Sequence, residues 1–469
     1  MNSLPLVCRT MTCLLLIAVL PAPGGCLAQS TLLENVPGWD RQDYQSFVDE
    51  SRWPSQHPQF LNLLAYISNI SPRAWRESLG DTEGGDTEGA RLSGESELSD
   101  LSVGRAVAVH GQALKTRRVK LSGVNSENVG AEHYFVTQLQ SVEGGHIEVV
   151  SRQVPLAWAT RDAPLEQPVI ATGILLKWIV LPDGQSRVPL ILAERLSWYP
   201  DEAIGDWGIG PSQIALTEAG VDFSLRQHLV FGSQQPLTTE ESRLVFQLFQ
   251  ARQRQPEIPK WQPADVAEWL RQATRSNARH LFGNAYRFRG RVRRVTRVET
   301  TNQRLLEEFG TDAYYQLEVF VDSRPIRMVD RSGKPILDEQ GKPFVYGSEY
   351  AVTVLTPDLP ELLSPIAGRS RELAQSMSFS AVFLKTWNHH SFKTRTSRSA
   401  VIKTTPILVA LAIEPIESTG RGWFWISLPL VSVLVLFGIL AVYLRRQGVR
   451  SRVRGLPEKI EWPPDNRSS

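Results

Sequence analysis

The sequence predicts a mainly β protein with helical leads, an α+β chain built as two tandem small β-barrel modules and closed by one C-terminal transmembrane helix. Three observations carry that expectation. Apolar and polar residues alternate with period two over many short segments, the order of these segments recurs about 180 residues on, and the run from Trp423 to Leu444 carries no charge. Across 469 residues, 42% are hydrophobic and 21% charged, the balance of folded domains, which excludes a disordered, fibrous or multi-pass chain. The length suits two or three domains, each able to bury a core.

Residues 1–28 have the layout of a secretory signal peptide. Arg9 is the only charge, Met11 to Leu20 is apolar but too short to span a bilayer, and Cys26-Leu27-Ala28 offers small residues for cleavage near Gln29. All three cysteines, Cys8, Cys13 and Cys26, fall inside it. A mature chain without them forms no disulfide, thiolate nucleophile or Cys-ligated zinc site. As a lipoprotein cysteine, Cys26 has a poor lead-in in Pro23-Gly24-Gly25.

Residues 29–100 read as a helical lead followed by an acidic loop. Phe60-Leu61-Asn62-Leu63-Leu64 carries the helical apolar pattern that returns as Val245-Phe246-Gln247-Leu248-Phe249. In the second copy Thr238 and Glu241 have capping-box spacing, and Leu244, Val245, Leu248 and Phe249 form the apolar stripe. Between Glu77 and Asp100, Asp81-Thr-Glu-Gly and Asp86-Thr-Glu-Gly sit in a nearly apolar-free stretch, expected to be a solvated linker. Their spacing fits a calcium loop poorly.

The first module, residues 101–200, has candidate strands at Arg105 to Val109, Ala113 to Leu121, Tyr134 to Leu139, Ile147 to Val150, Ile170 to Lys177 and Leu190 to Leu196. Residues 201–284 form a linker and the second helical lead. The second module, residues 285–416, has strands at Tyr286 to Val298, Tyr314 to Asp322, Glu349 to Leu355, Met377 to Trp387 and Ile407 to Ile413. Tyr134-Phe135 matches Tyr314-Tyr315, Leu176-Lys177-Trp178 matches Leu384-Lys385-Thr386-Trp387, and Pro189 to Ala193 matches Pro406 to Ala410. The offset widens along the chain, so the second copy holds extra loop, including Asp330 to Val345 with two Asp-x-x-Gly-Lys-Pro turns. Neither is a phosphate loop, because proline follows each lysine. Five short strands per copy suit a closed barrel of the OB type, since an open sheet would expose two edges. An SH3-like barrel or small sandwich is the competing arrangement.

In the x-Leu-Lys-Trp strand, the Pro-Leu/Ile-x-x-Ala strand and the following Trp198-Tyr199-Pro200, the copies resemble uncharacterised exported bacterial proteins with duplicated OB-like modules and a C-terminal membrane anchor. The resemblance implies the duplication and the topology, and no catalytic residue.

One constellation points to binding. Arg287, Arg289, Arg291 and Arg293 alternate with Phe288 and Val292, so four guanidinium groups project from one face of a strand. Such a ladder can hold phosphates, sulfated glycans or another polyanion. Nucleic acid would also want aromatic rings on that face, and Phe288 points the other way. The plain alternative is a solvated face paired across strands with Glu318 and Asp322. The first copy offers only Lys115, Arg117, Arg118 and Lys120 as an echo.

Catalysis has less to stand on. There is no Gly-x-Ser-x-Gly elbow and no His-Glu-x-x-His. His389-His390, expected in a loop, are adjacent and would point apart in a strand, so no metal site and no cofactor are expected. Trp158, Trp178, Trp198 and Trp387 read as core and seam residues.

After a short juxtamembrane linker, 417–422, the segment 423–444 would form a helix of about 33 Å, the thickness of a hydrocarbon core. Trp423, Trp425 and Tyr443 sit at its edges, and Arg445, Arg446, Arg450, Arg452 and Arg454 follow, so the tail 445–469 faces the cytoplasm. That tail holds seven Lys and Arg against three Asp and Glu, and the signal holds one arginine, which leaves residues 29–422 at net −3 in a chain of +2. A near-neutral ectodomain argues against a surface wholly given to nucleic acid. The expectation is a single-pass inner-membrane protein in contact with the bilayer through 423–444, its N-terminal body outside, acting as a noncatalytic binding or scaffold protein for another envelope component. A polyanion binder using Arg287 to Arg293 and an envelope hydrolase are the alternatives.

Overall fold

The computed structural model describes residues 32–37, 42, 57–80, 91–92, 103–159, 164–180, 187–273, 278–327, 334–337, 340–366, 375–391, 401–416 and 432–446. The segment 1–28 expected to be a signal peptide, the acidic stretch 81–90 and the basic tail beyond 446 lie outside them. The chain divides into two units, Met1–Ile413 and Glu414–Ser469.

In the first unit, α1 (Pro58–Tyr66) and α2 (Pro72–Leu79) both begin at proline, whose missing N–H costs nothing in a first turn. The Ser71 side chain accepts from the Ala74 N–H, and Gly80 closes α2 in the left-handed region. The first barrel follows as β1 (Ala106–Lys120), α3 (Gly123–Val129), β2 (His133–Ser141), β3 (His146–Ser151), the single turn α4 (Leu156–Ala159), β4 (Gln167–Val180) and β5 (Arg187–Trp198). Helices α5 (Pro211–Glu218), α6 (Thr239–Gln253) and α7 (Val266–Ala273) lead into the second barrel. It comprises β6 (Ala285–Glu299), α8 (Gln303–Phe309), β7 (Ala313–Asp322), β8 (Glu349–Thr356), β9 (Gln375–Ser391) and β10 (Val401–Pro415).

Both sheets close. The first runs β1-β2-β3-β5-β4 and returns from β4 to β1; the second runs β6-β7-β8-β10-β9 and returns from β9 to β6. In each, the third strand lies parallel to the fifth, and the first strand pairs antiparallel with both the second and the fourth. This is the Greek-key order of a five-stranded OB-type barrel, so the closed barrel holds and the sandwich does not.

The two strands expected at Arg105 to Val109 and Ala113 to Leu121 are one. β1 bends through Gly111 and a bulge at Ala113/Lys115, which lets its first half pair with β4 and its second with β2. A Cβ on Gly111 would stand 2.4 Å from the Gln140 carbonyl oxygen, so only glycine allows the bend. Gly290 and the bulge at Val292/Arg294 repeat the device in β6. The duplication also includes what period-two reading passed over. α3 and α8 occupy the same interval between first and second strands, and each ends on a left-handed glycine, Gly130 and Gly310.

The leads explain the repeated apolar motifs. Phe60, Leu61, Leu63 and Leu64 of α1 pack on Tyr134, Val136, Leu176, Leu190 and Leu192, the outer wall of the first barrel. Leu244, Val245, Leu248 and Phe249 of α6 do the same with Leu384, Ile407 and Val409 of the second. The capping box of α6 is present: Thr238 Oγ1 accepts from the Glu241 N–H and Glu241 accepts from the Thr238 N–H. Glu241 is also the partner of Lys385, their Nζ and Oε1 atoms 2.6 Å apart with both side chains almost wholly buried. The apolar cluster that fills the first barrel continues through Val221, Phe223, Leu225 and α6 to the wall of the second, so these residues between the barrels contribute to the core.

In the second unit, the helix expected over 423–444 is described only over 432–446. No helix among the described residues is long and apolar enough to cross a membrane, because a crossing needs roughly 20 residues. Its apolar side chains, Val433 to Leu444, are exposed.

Candidate polyanion interface and other sites

The arginine ladder stands as its spacing required. Arg287 and Arg289 are exposed, Arg291 and Arg293 partly so, while Phe288 and Val292 are buried in the barrel, Phe288 stacked on Phe379 at 5.2 Å. At about 3.3 Å per residue the row is about 20 Å long. Antiparallel pairing sets Ser380, Ser378 and Ser376 of β9 directly opposite Arg287, Arg289 and Arg291, which lines the cations with small hydroxyls. Arg287 Nε donates to Ser380 Oγ at 3.3 Å.

The carboxylate that meets the row differs from the expected pair. Glu349, at the start of β8, bridges Arg291 and, at 3.7 Å, Arg293. Glu318 lies across from Arg294 beyond the bulge, and neither Glu318 nor Asp322 forms an ion pair with the ladder among the described residues. Arg287 and Arg289 have no carboxylate partner among them either.

Two aromatic rings on this face were missed by the sequence reading. The Arg293 guanidinium lies 3.9 Å from the centroid of Phe320, and that of Arg287 5.4 Å from the ring of Trp261. Phe320 was within reach of period two, since it shares an outward face with Glu318 and Asp322. Trp261 lies before a two-residue strand, Gln262–Pro263, parallel to β6, and no local signal marks it. The echo in the first copy is not an equivalent. Lys115, Arg117, Arg118 and Lys120 are exposed, but they follow the bulge, whereas Arg287, Arg289 and Arg291 precede theirs and Arg293 sits in it.

Among the described residues, carboxylates gather at the seam between α8, α6 and β5, and guanidinium groups pair with each of them. Arg304 pairs with Glu194 at 2.5 Å, Arg243 with Glu308 at 2.8 Å and Glu240 at 2.7 Å, and Arg195 with Asp222 at 3.5 Å. Burial alone would depress the Arg195 pKa, yet Asp222, Glu194, Glu308 and Glu240 together raise it. Asp222, fully buried, accepts from the Trp198 and Ser224 N–H groups at 2.9 Å. These contacts fasten α8, α6 and β5 to one another. His389 and His390 lie on β9, not in a loop, and His389 Nδ1 is 3.3 Å from Thr405 Oγ1. No group of three or more His, Cys, Asp or Glu among the described residues could hold a metal ion. Trp158 and Trp198 are buried, and Trp178 and Trp387 pack half-buried against the same cluster.

A cavity of about 640 Å³ opens between α4, the loop 205–210 and the segment 279–284. Trp198, Trp207 and Phe223 line it, with Trp198 5.3 Å from Trp207 and 5.6 Å from Phe223 in edge contacts. Arg226 lies over Phe223 at 4.5 Å with its Nη1 buried and without a hydrogen-bond partner. Burial, and then the neighbouring Arg279, pulls the Arg226 pKa down to about 10.

Fold and ladder together define a tandem OB-like barrel protein with a cationic outer strand on its second barrel. No family model and no curated protein matches the chain. Among solved structures, it is similar to a small single-stranded DNA-binding protein from Streptomyces coelicolor, at 16% identity over 29% of this chain and 93% of the other, with a TM-score of 0.14. It is similar too to the single-stranded DNA binding protein from Thermus aquaticus, at 9% identity over 67% and 95%, TM-score 0.14. A replication protein A heterotrimer bound to ssDNA follows at 8% identity over 70% and 54%, TM-score 0.15. TM-scores this low carry no argument about what this chain binds.

Proposed function

We propose that the protein is a noncatalytic binding protein whose second barrel holds an anionic chain molecule along β6. What carries the reading is the unneutralised pair Arg287 and Arg289, displayed outward beside Ser380 and Ser378, on a row that Trp261 and Phe320 flank. A row kept only for solubility has no use for two stacked rings, and guanidinium groups on a flat strand suit repeated phosphate or sulfate groups. The reading further holds that the body is anchored at a membrane. Its support is the charge-free run 423–444 followed by five arginines in the sequence, together with exposed apolar side chains all along 433–444, a surface that water does not tolerate.

The test is salt-dependent retention of the full-length protein on heparin and on single-stranded DNA. With Arg287 and Arg289 each neutralising a phosphate of single-stranded DNA, the logarithm of affinity should fall with the logarithm of salt at a slope of about −1.4, and the four-arginine-to-serine variant should lose it. Trp261→Ala with Phe320→Ala should weaken DNA but spare heparin if bases stack on the rings. Passage of the unaltered protein through both columns at low salt overturns the reading.

A further inference from the structure

The cavity beside α4 lies apart from the arginine ladder and does not depend on it. Its volume of about 640 Å³ falls within the range of small-molecule sites. Trp207, half-buried, supplies an aromatic face, with Trp198 and Phe223 buried behind it, and Arg226 and Arg279 line the same space. Among the described residues neither Arg226 nor Arg279 forms an ion pair, and Asp206 at the rim bonds to neither. Two like charges near each other, one with a buried nitrogen that has no acceptor, are an arrangement that folding alone does not favour. Gly208 keeps the space open. It adopts φ +64, and a Cβ there would come 2.8 Å from the His280 Cβ and 4.0 Å from Arg226 Nη1.

We propose that this cavity binds a small molecule bearing an oxyanion, phosphate or carboxylate, on an aromatic ring, with Arg226 and Arg279 on the anion and Trp207 against the ring. The Arg226 guanidinium is held over Phe223 with Nη1 buried, so its other N–H groups meet the oxyanion, and the exposed Arg279 adds a second cation. The ring replaces water against Trp207.

Calorimetric titration of the purified full-length chain with phenyl phosphate, benzoate, inorganic phosphate and benzyl alcohol tests this. Saturable binding of phenyl phosphate or benzoate, with inorganic phosphate and benzyl alcohol each weaker by about tenfold or more, supports the site; whichever of the first two binds more tightly identifies the anion. Arg226→Gln should weaken binding by about tenfold or more, the loss of a charge-assisted pair. Arg279→Glu, at an exposed position, supplies an internal counterion: it should abolish binding and raise the melting temperature of the unliganded protein. Three results overturn the proposal: no saturable binding of either aromatic anion, binding that survives Arg226→Gln, or an Arg279→Glu variant that binds as before. If Arg226→Gln fails to fold, Arg279→Glu alone decides.

Discussion

Removing the Lys385 ammonium tests how the second lead helix, α6, is fastened to its barrel. At 2.6 Å, Nζ and Glu241 Oε1 attract by about 6 kcal/mol at an effective dielectric constant near 20. Desolvation of two ions, several kcal/mol each, offsets most of that, so the intact pair is close to neutral for stability. Breaking it is different. Lys385→Met leaves a carboxylate buried with only the Val230 and Thr238 N–H groups, each at 2.9 Å, and should cost about 3–5 kcal/mol. Glu241→Gln strands the ammonium and should cost about as much, plus part of the cap. The double variant removes both charges and should cost far less than the sum, with a coupling of about 3 kcal/mol. Urea unfolding followed by tryptophan fluorescence, with hydrogen exchange of the α6 amides as the local readout, measures it. Additivity of the two single variants within about 0.5 kcal/mol would falsify the account.

Three further outcomes follow from the same geometry. Glu349→Gln removes the carboxylate that Arg291 and Arg293 share, so retention on heparin should strengthen and elution move to higher salt; unchanged elution would mean the bridge does not compete with ligand. Gly111→Ala forces a Cβ to 2.4 Å from the Gln140 carbonyl oxygen and should cost about 1–3 kcal/mol in urea unfolding, as overpacking does, whereas Gly123→Ala, with open space around it, should cost little. Burial holds the His228 pKa below its ordinary value, against a smaller upward pull from Glu240. The unfolded chain therefore takes up the proton first, stability falls as pH drops below about 6.5, and it is flat above; His228→Asn should remove that slope from melting temperatures recorded between pH 7 and 5.

How much of this was legible beforehand varies with the range of the cause. Alternation is a local signal, so nine of the ten barrel strands, the outward arginines and the inward Phe288 could be read. The duplication could be read too, because Leu176 and Leu384, or Phe60 and Val245, keep their order. The single bulged β1 was hidden because Gly111 breaks the alternation that its two halves share. Contacts set by closure were out of reach. Glu349 meets Arg291 across a register that local pattern does not give, Arg226 and Arg279 meet only after the linker folds back, and the seam of Arg195, Arg243 and Arg304 joins three elements distant in the chain. Phe320 was legible and overlooked.

The order of parts along each copy imposes a schedule on synthesis. α6 leaves the ribosome with its greasy flank complete, yet the strand bearing Lys385 lies 144 residues behind Glu241. At roughly 5–20 residues per second the helix waits about 7–30 s for the wall that will cover it. During that interval a nascent chain must shield the flank by some other means, a chaperone or the first barrel already in place, and fragments that stop short of β9 are expected to aggregate.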